Sequence, residues 1–249
     1  MNALRTFKSA LLCLAFSVQA AWTASAACPW TGSFNKIPES GQVPPSYEHI
    51  VEALHKQKGC STGAITNGGA AVVIAANGDG GFAALPPQLK KVLEANQQRG
   101  QKIADIHITE SGKYIVILGR NAYNTLGAPE EMVKHIKTVR TKGGAILAAA
   151  FNDAGHFLVV TDETVYFKLS KGGSEKLKRA KELYGNVLHA SMTDTSFVLC
   201  CERGVYLYNA PKSLRSALDE LEFAPRCIKY TDDGDYLITD GERLFSYSL

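Results

Sequence analysis

Glu110-Ser111-Gly112-Lys113-Tyr114-Ile115-Val116 reads as a tight turn running into a short apolar strand. The pattern comes round four more times. Asn67-Gly68-Gly69-Ala70-Ala71-Val72-Val73 precedes it, and Asp153-Ala154-Gly155-His156-Phe157-Leu158-Val159, Asp194-Thr195-Ser196-Phe197-Val198-Leu199 and Asp233-Gly234-Asp235-Tyr236-Leu237-Ile238 follow. From Gly69 to Gly112, Gly155, Ser196 and Gly234 the steps are 43, 43, 41 and 38 residues. A period near forty marks an array of small sheets that cannot bury their apolar faces singly and must pack on one another.

The unit around Glu110 shows what is repeated. Pro86 and Pro87 suit a helix start, where a missing N–H is no loss. Leu89, Val92 and Leu93 then recur at helical spacing, and Gly100 ends the run. Ile103, Ile106 and Ile108 alternate with polar residues in a first strand, Tyr114 to Leu118 is the second, and Ala122-Tyr123-Asn124 a weaker third. The other units keep this order. Pro129 opens a helix with Met132 and Ile136, closed by Gly143-Gly144; Ser174 opens one with Leu177, Ala180 and Leu183, closed by Gly185; Pro211 opens one with Leu214, Leu218 and Leu221. Pro44-Pro45-Ser46 introduces the first, with Tyr47, Ile50 and Leu54, ending at Gly59. The reading is a mainly β fold with peripheral helices, a five-bladed β-propeller-like repeat domain over residues 46–249. An open α/β solenoid is the alternative, but it needs polar caps at both ends.

The hairpins Thr109-Glu110-Ser111-Gly112-Lys113-Tyr114-Ile115 and Thr231-Asp232-Asp233-Gly234-Asp235-Tyr236-Leu237 resemble the Ser-x-Asp-Gly-Lys-Tyr-Leu hairpin of bacterial β-propeller repeats. Gly119-Arg120-Asn121-Ala122-Tyr123, just ahead of Gly127-Ala128-Pro129, resembles a repeat of exported bacterial proteins. The resemblance implies a fold and carries no activity. A helix stands where such blades usually have a fourth strand, and the Trp-Asp signature of WD repeats is missing.

Residues 1–26 read as a secretory signal peptide: Arg5 and Lys8, an apolar run over residues 10–18, and the small-residue cleavage site Ala24-Ser25-Ala26. Residues 27–45 form an N-terminal arm. A lipid anchor at Cys28 is the alternative, though Ser25 stands where a lipid-attachment site carries leucine. The expected location is secreted or periplasmic, with no transmembrane segment. Without Arg5 and Lys8 the chain has 25 basic against 24 acidic residues, which argues against nucleic acid as a partner. Lys171 to Lys181 is the densest basic stretch and reads as a solvated helix face. Beyond the signal lie Cys28, Cys60, Cys200, Cys201 and Cys227, and an oxidising compartment permits disulfides, Cys28 with Cys60 and Cys200 or Cys201 with Cys227. Adjacent Cys200 and Cys201 lack metal-ligand spacing and point to opposite faces of a strand.

No nucleophile elbow, zinc-protease, phosphate-loop or calcium-loop signature is present. Asn77-Gly78-Asp79-Gly80-Gly81 is a hairpin turn, without the following helix that would hold phosphate. The chemistry-bearing positions are on the first strands. Asp105 and His107 share one face, and the equivalent strands carry His189, Ser191 and Lys229, whereas the third unit has Ala148 and Ala150. If these strands line a channel, Asp105, His107, His189 and Lys229 are the catalytic candidates, as an Asp-oriented base or an Asp-His-His metal set. Arg120, Asn121, Asn124 and Arg203, with Glu202, are candidates for a polar ligand-binding rim. The first expectation is an exported scaffold without a cofactor that binds a protein, glycan or small ligand through its channel face. A hydrolase or lyase at the channel and a purely structural module are the alternatives.

Overall fold

The structure, a computed structural model, describes residues 59–243 and 245–249. These form five three-stranded antiparallel sheets and four helices. The sheets are β1 (Thr62–Ile65), β2 (Ala71–Ile74) and β3 (Gly80–Ala83); β4 (Ile103–Ile108), β5 (Tyr114–Leu118) and β6 (Ala122–Leu126); β7 (Ile146–Phe151), β8 (Phe157–Thr161) and β9 (Val165–Lys168); β10 (Val187–Met192), β11 (Phe197–Cys201) and β12 (Gly204–Tyr208); β13 (Cys227–Tyr230), β14 (Tyr236–Thr239) and β15 (Phe245–Ser248). Between them run α1 (Pro87–Arg99), α2 (Glu130–Thr141), α3 (Lys171–Tyr184) and α4 (Lys212–Asp219). The signal, the arm, Cys28 and the helix expected after Ser46 lie outside the described residues. No helix among the described residues is long and apolar enough to cross a membrane.

Each strand leads to the next by a tight turn, so every sheet is a meander in sequence order. In four of the turns the backbone N–H of the residue entering the turn donates to the carbonyl four residues on, as Thr109 does to Lys113 at 2.8 Å. That loop needs one left-handed residue, supplied by Gly69, Gly112, Gly155 and Gly234 at φ 79–103°. The fourth turn is one residue shorter, Thr193 N–H donating to Ser196 O, and dispenses with glycine. This is why serine stands there.

The apolar alternation along the strands feeds five separate cores, one at each seam between sheets. Ile106, Val72 and Leu89 meet between the first and second sheets under α1. Ile117, Phe157 and Ile136 fill the next seam under α2, Leu158, Leu199 and Leu177 the next under α3, and Val198, Ile238 and Leu214 the next under α4. A fifth core joins the last sheet to the first: Leu237, Phe245 and Tyr247 pack with Ala71, Val73 and Cys60. The first strands touch in succession, β1 with β4, β4 with β7, β7 with β10, β10 with β13, and β13 with β1.

Three helix expectations shift, one of them because α4 ends at Asp219 and leaves Leu221 just beyond it. α3 starts at Lys171, because the Ser170 side chain caps it by accepting the Gly173 N–H at 3.2 Å, rather than at Ser174. Leu183 is 52 % exposed, off the buried face. Steps of three residues drift by about 60° each round a helix of 3.6 residues per turn, so Tyr184, a full two turns after Leu177, packs in its place.

Cys60, Cys200, Cys201 and Cys227 are all buried free thiols, so the expected pairing of Cys200 or Cys201 with Cys227 is not formed. Cys201 faces the seam under α3 and Cys200 the apolar core under α4. Cys227 instead meets the Thr62 hydroxyl, Sγ to Oγ1 3.7 Å. Burial pushes the Cys201 thiol up to about 12, with Cys200 and Glu202 adding to the shift.

The turns that opened the sequence do a second job, between sheets. Two residues before each repeated turn position stand Asn67, Glu110, Asp153, Asp194 and Asp232. Glu110 accepts the backbone N–H groups of Asn67 (2.9 Å) and Gly68 (3.3 Å). Asp153 accepts from Ser111 Oγ (2.6 Å) and Ser111 N (3.2 Å), Asp194 from Asp153 N (3.3 Å), and Asp232 from Thr193 Oγ1 (2.7 Å) and Thr195 Oγ1 (3.1 Å). Asn67 Oδ1 in turn accepts the Asp233 N–H at 3.2 Å. Every turn is thus held by the turn of the next sheet, the fifth by the first.

One prediction arises from this clasp. Burial raises the Asp153 carboxyl, but hydrogen bonds from Ser111 and the Lys113 ammonium at 3.0 Å outweigh it and leave it below the ordinary range. A depressed folded-state value gives stability that is complete above the ordinary aspartate range and is lost as pH falls through the folded value. Asp153→Ala is expected to cost about 1 kcal/mol at pH 7, the discount reflecting solvent screening. Urea titrations from pH 7 to pH 3 should show that deficit shrinking towards acid. A deficit independent of pH would remove the carboxylate from the clasp.

Candidate functional site

The first strands touch one another in succession and place two tiers of side chains where they meet. Seven residues before each turn position stand Thr62, Asp105, Ala148, His189 and Cys227; five before it stand Ala64, His107, Ala150, Ser191 and Lys229. Residues two apart on a strand share a face, so both tiers look the same way. A bulge in the second, third and fourth sheets precedes the deeper tier, the register shifting between Ile103 and Asp105, Ile146 and Ala148, and Val187 and His189.

Asp105 is the centre of the deeper tier and is fully buried. Its Oδ1 accepts from Lys229 Nζ at 2.6 Å, Thr62 Oγ1 at 3.1 Å and His189 Nε2 at 3.3 Å; its Oδ2 accepts the Ala149 backbone N–H at 3.0 Å. Donors from the first, third, fourth and fifth sheets thereby converge on one carboxylate of the second. Lys229 also donates to Ile106 O at 2.9 Å. Burial pushes the Asp105 carboxyl up, and Lys229 and His189 more than reverse this, holding it well below the usual range. For His189 burial works downward, while Cys227 and Asp105 outweigh it and raise the imidazole well above its ordinary value. Cys227 is shifted down, burial opposing and the His189 and Lys229 charges winning.

His107 belongs to the upper tier and does not pair with Asp105. Its Nε2 donates to Phe151 O at 2.6 Å, and the ring packs edge-on to Phe151 at 5.6 Å. Burial, then the Lys229 charge, depress it to about 4, so it is a neutral imidazole near pH 7. Ser191 donates to Ile228 O. Above this tier, at the turn end, a shallow depression of about 30 Å³, open to solvent, is lined by Ile65, His107, Phe151, Ser191, Met192 and Lys229 among others, drawn from all five first strands.

The structure therefore brings Asp105, His189 and Lys229 into direct contact and sets His107 and Ser191 beside them. Arg120, Asn121, Asn124 and Arg203 do not join them. Arg120 donates to Gly143 O (3.1 Å) and Asp162 (3.2 Å), and Asn121 to Gly144 O (2.8 Å), pinning the end of α2. Arg203 donates to Glu182 O and Leu183 O at the end of α3, and Glu202 receives Asn186 N–H groups. Asn124 accepts from Tyr114 OH at 3.1 Å and borders an outer groove with Lys91, Arg99 and Arg140. These residues serve the helix ends and an outer strand.

Sequence reading passed over Thr62 and Cys227. The signal was available in the repeat register, since both occupy the position of Asp105 and His189. No protein-family model matches the chain, and no curated protein matches its sequence.

Proposed function

We propose that the chain is an exported five-bladed propeller whose axial pocket binds a small polar ligand of sugar-like chemistry. The observation that carries this reading is the pocket lined by all five first strands. Closure of the ring is supported by the contact of β13 with β1, the core shared by the last and first sheets, and the Asp233–Asn67 clasp. The hairpin resemblance and the signal-like residues 1–26 support the propeller and the export.

The lining alternates aromatic or apolar surface (Phe151, Met192, Tyr230) with hydroxyl and amide groups (Thr109, Asn152, Thr193). That mixture suits edge-on contact with a hydroxylated group, apolar surface flanking a few hydrogen-bonding groups. Binding is favoured over hydrolysis because the candidate base, His107, is tied to Phe151 O and Lys229 to Asp105.

Two-dimensional amide NMR of the isotope-labelled protein, titrated with a panel of mono- and disaccharides and polyols, tests it. Saturable shifts centred on His107, Phe151, Ser191 and Met192 are expected for at least one member. Shifts confined to the outer helices, or turnover of the panel member that binds, would sink the binding reading.

A further inference from the structure

The deeper tier holds an arrangement that the binding pocket does not use. Asp105, His189 and Cys227, from three different sheets, offer a carboxylate oxygen, an imidazole nitrogen and a thiol sulfur all within 4.8 Å of one another, and all three residues are buried. We propose that this tier is a binding site for a zinc-class divalent cation, held by Cys227 Sγ, one imidazole nitrogen of His189 and Asp105 Oδ1.

Three features of the geometry point to one central cation. First, the hydrogen bonding is unevenly shared. Three donors crowd Asp105 Oδ1, while Cys227 Sγ has the 3.7 Å contact with Thr62 and otherwise faces His189. Second, the spacing suits a tetrahedral ion. Zinc–nitrogen and zinc–oxygen bonds of about 2.0–2.1 Å place two such ligands roughly 3.3 Å apart. His189 Nε2 and Asp105 Oδ1 are 3.3 Å apart, long for a hydrogen bond between charged groups. Third, the donor set matches. One thiolate, one imidazole and one carboxylate are zinc ligands of borderline softness, and the two anions balance a dication.

Lys229 is the competitor. Its ammonium stands 2.6 Å from Asp105 Oδ1 and supplies the positive charge that a buried carboxylate requires without a metal. A dication takes over that role and leaves Lys229 on Ile106 O, which it already meets at 2.9 Å. Cys201, on the opposite face of β11 in the seam under α3, is outside the set and provides the internal control.

The test is cobalt substitution in the full chain, purified without an affinity tag, stripped with chelator and titrated with Co2+. Expected is one Co2+ per chain, with the near-ultraviolet thiolate-to-cobalt band and intense visible bands of a tetrahedral ion, both bleached by Zn2+. Cys227→Ser should abolish the thiolate band and weaken binding at least about tenfold, while Cys201→Ser leaves both unchanged. No thiolate band in the wild type would overturn the proposal, and that measurement needs no variant to fold. The same band persisting in Cys227→Ser would overturn it too, by moving the site to another cysteine. Saccharide binding is read independently by NMR, so the two proposals fail separately.

Discussion

Lys229→Met is expected to lower the stability of this protein by about 3–5 kcal/mol, and its Tm by roughly 6–20 °C. Asp105 is fully buried, and the substitution removes the ammonium 2.6 Å from its Oδ1 while adding no donor. Most of the loss is the penalty of a buried carboxylate short of positive charge, rather than the intrinsic worth of the pair. Asp105→Asn alone should also destabilise, by stranding the Lys229 ammonium. The double variant Asp105→Asn, Lys229→Met should lose less than the two singles together, with a coupling energy of at least about 1 kcal/mol. Urea denaturation of the four proteins gives the cycle. A Lys229→Met loss below about 1 kcal/mol would mean that His189 alone balances Asp105.

Phe245→Ala should cost about 3–5 kcal/mol, the ordinary range for emptying a buried aromatic site. Phe245 is almost wholly buried between the last sheet and the first, its ring 6.0 Å from that of Tyr247 at an interplanar angle of 20°. How the loss is distributed separates a ring from an open stack. In a ring the fifth-to-first seam is one of five equivalent joints, and loosening it weakens every sheet together. In an open stack each unit leans only on its neighbours, and the fifth sheet frays alone. Hydrogen exchange on Phe245→Ala should therefore show protection falling in all five second strands. Protection retained in β5, β8 and β11 with loss only in β14 would favour the open array.

The turns carried most of the architecture in the sequence itself. A glycine or serine at a fixed step, an apolar run after it and a proline-led amphipathic stretch before it were enough to place each sheet and the order of its strands. Tyr114–Leu118 falls where the apolar run put it. What one unit alone does not reveal is what it does to the next. Glu110 and Asp153 look like ordinary turn residues, and their hydrogen bonds to the preceding turn emerge only when sheets sit side by side. The axial site was legible in part. Asp105, His189 and Lys229 stood out because charge on a buried alternation is conspicuous. Thr62 did not, since threonine is a common strand residue, and Cys227 was drawn towards a disulfide by the expected compartment. Arg120 and Arg203 misled for a related reason: a cation in a turn looks free until the carbonyls of a neighbouring helix end are seen to claim it.

The two axial tiers differ from the turns in what they tolerate. Position by position the turns repeat one chemistry, an acid or amide gripping its neighbour, so a change in one unit must suit the adjoining unit. The tiers carry threonine, aspartate, alanine, histidine and cysteine at one level, and alanine, histidine, alanine, serine and lysine at the other. Five copies of a single motif thus present a plane of unlike functional groups. The frame is uniform from sheet to sheet, while the tiers differ from one sheet to the next. For redesign, the same separation lets a tier position be changed while the clasp is left untouched; Ala148 and Ala150, fully buried in the seam under α3, are the positions where a larger side chain must displace its neighbours.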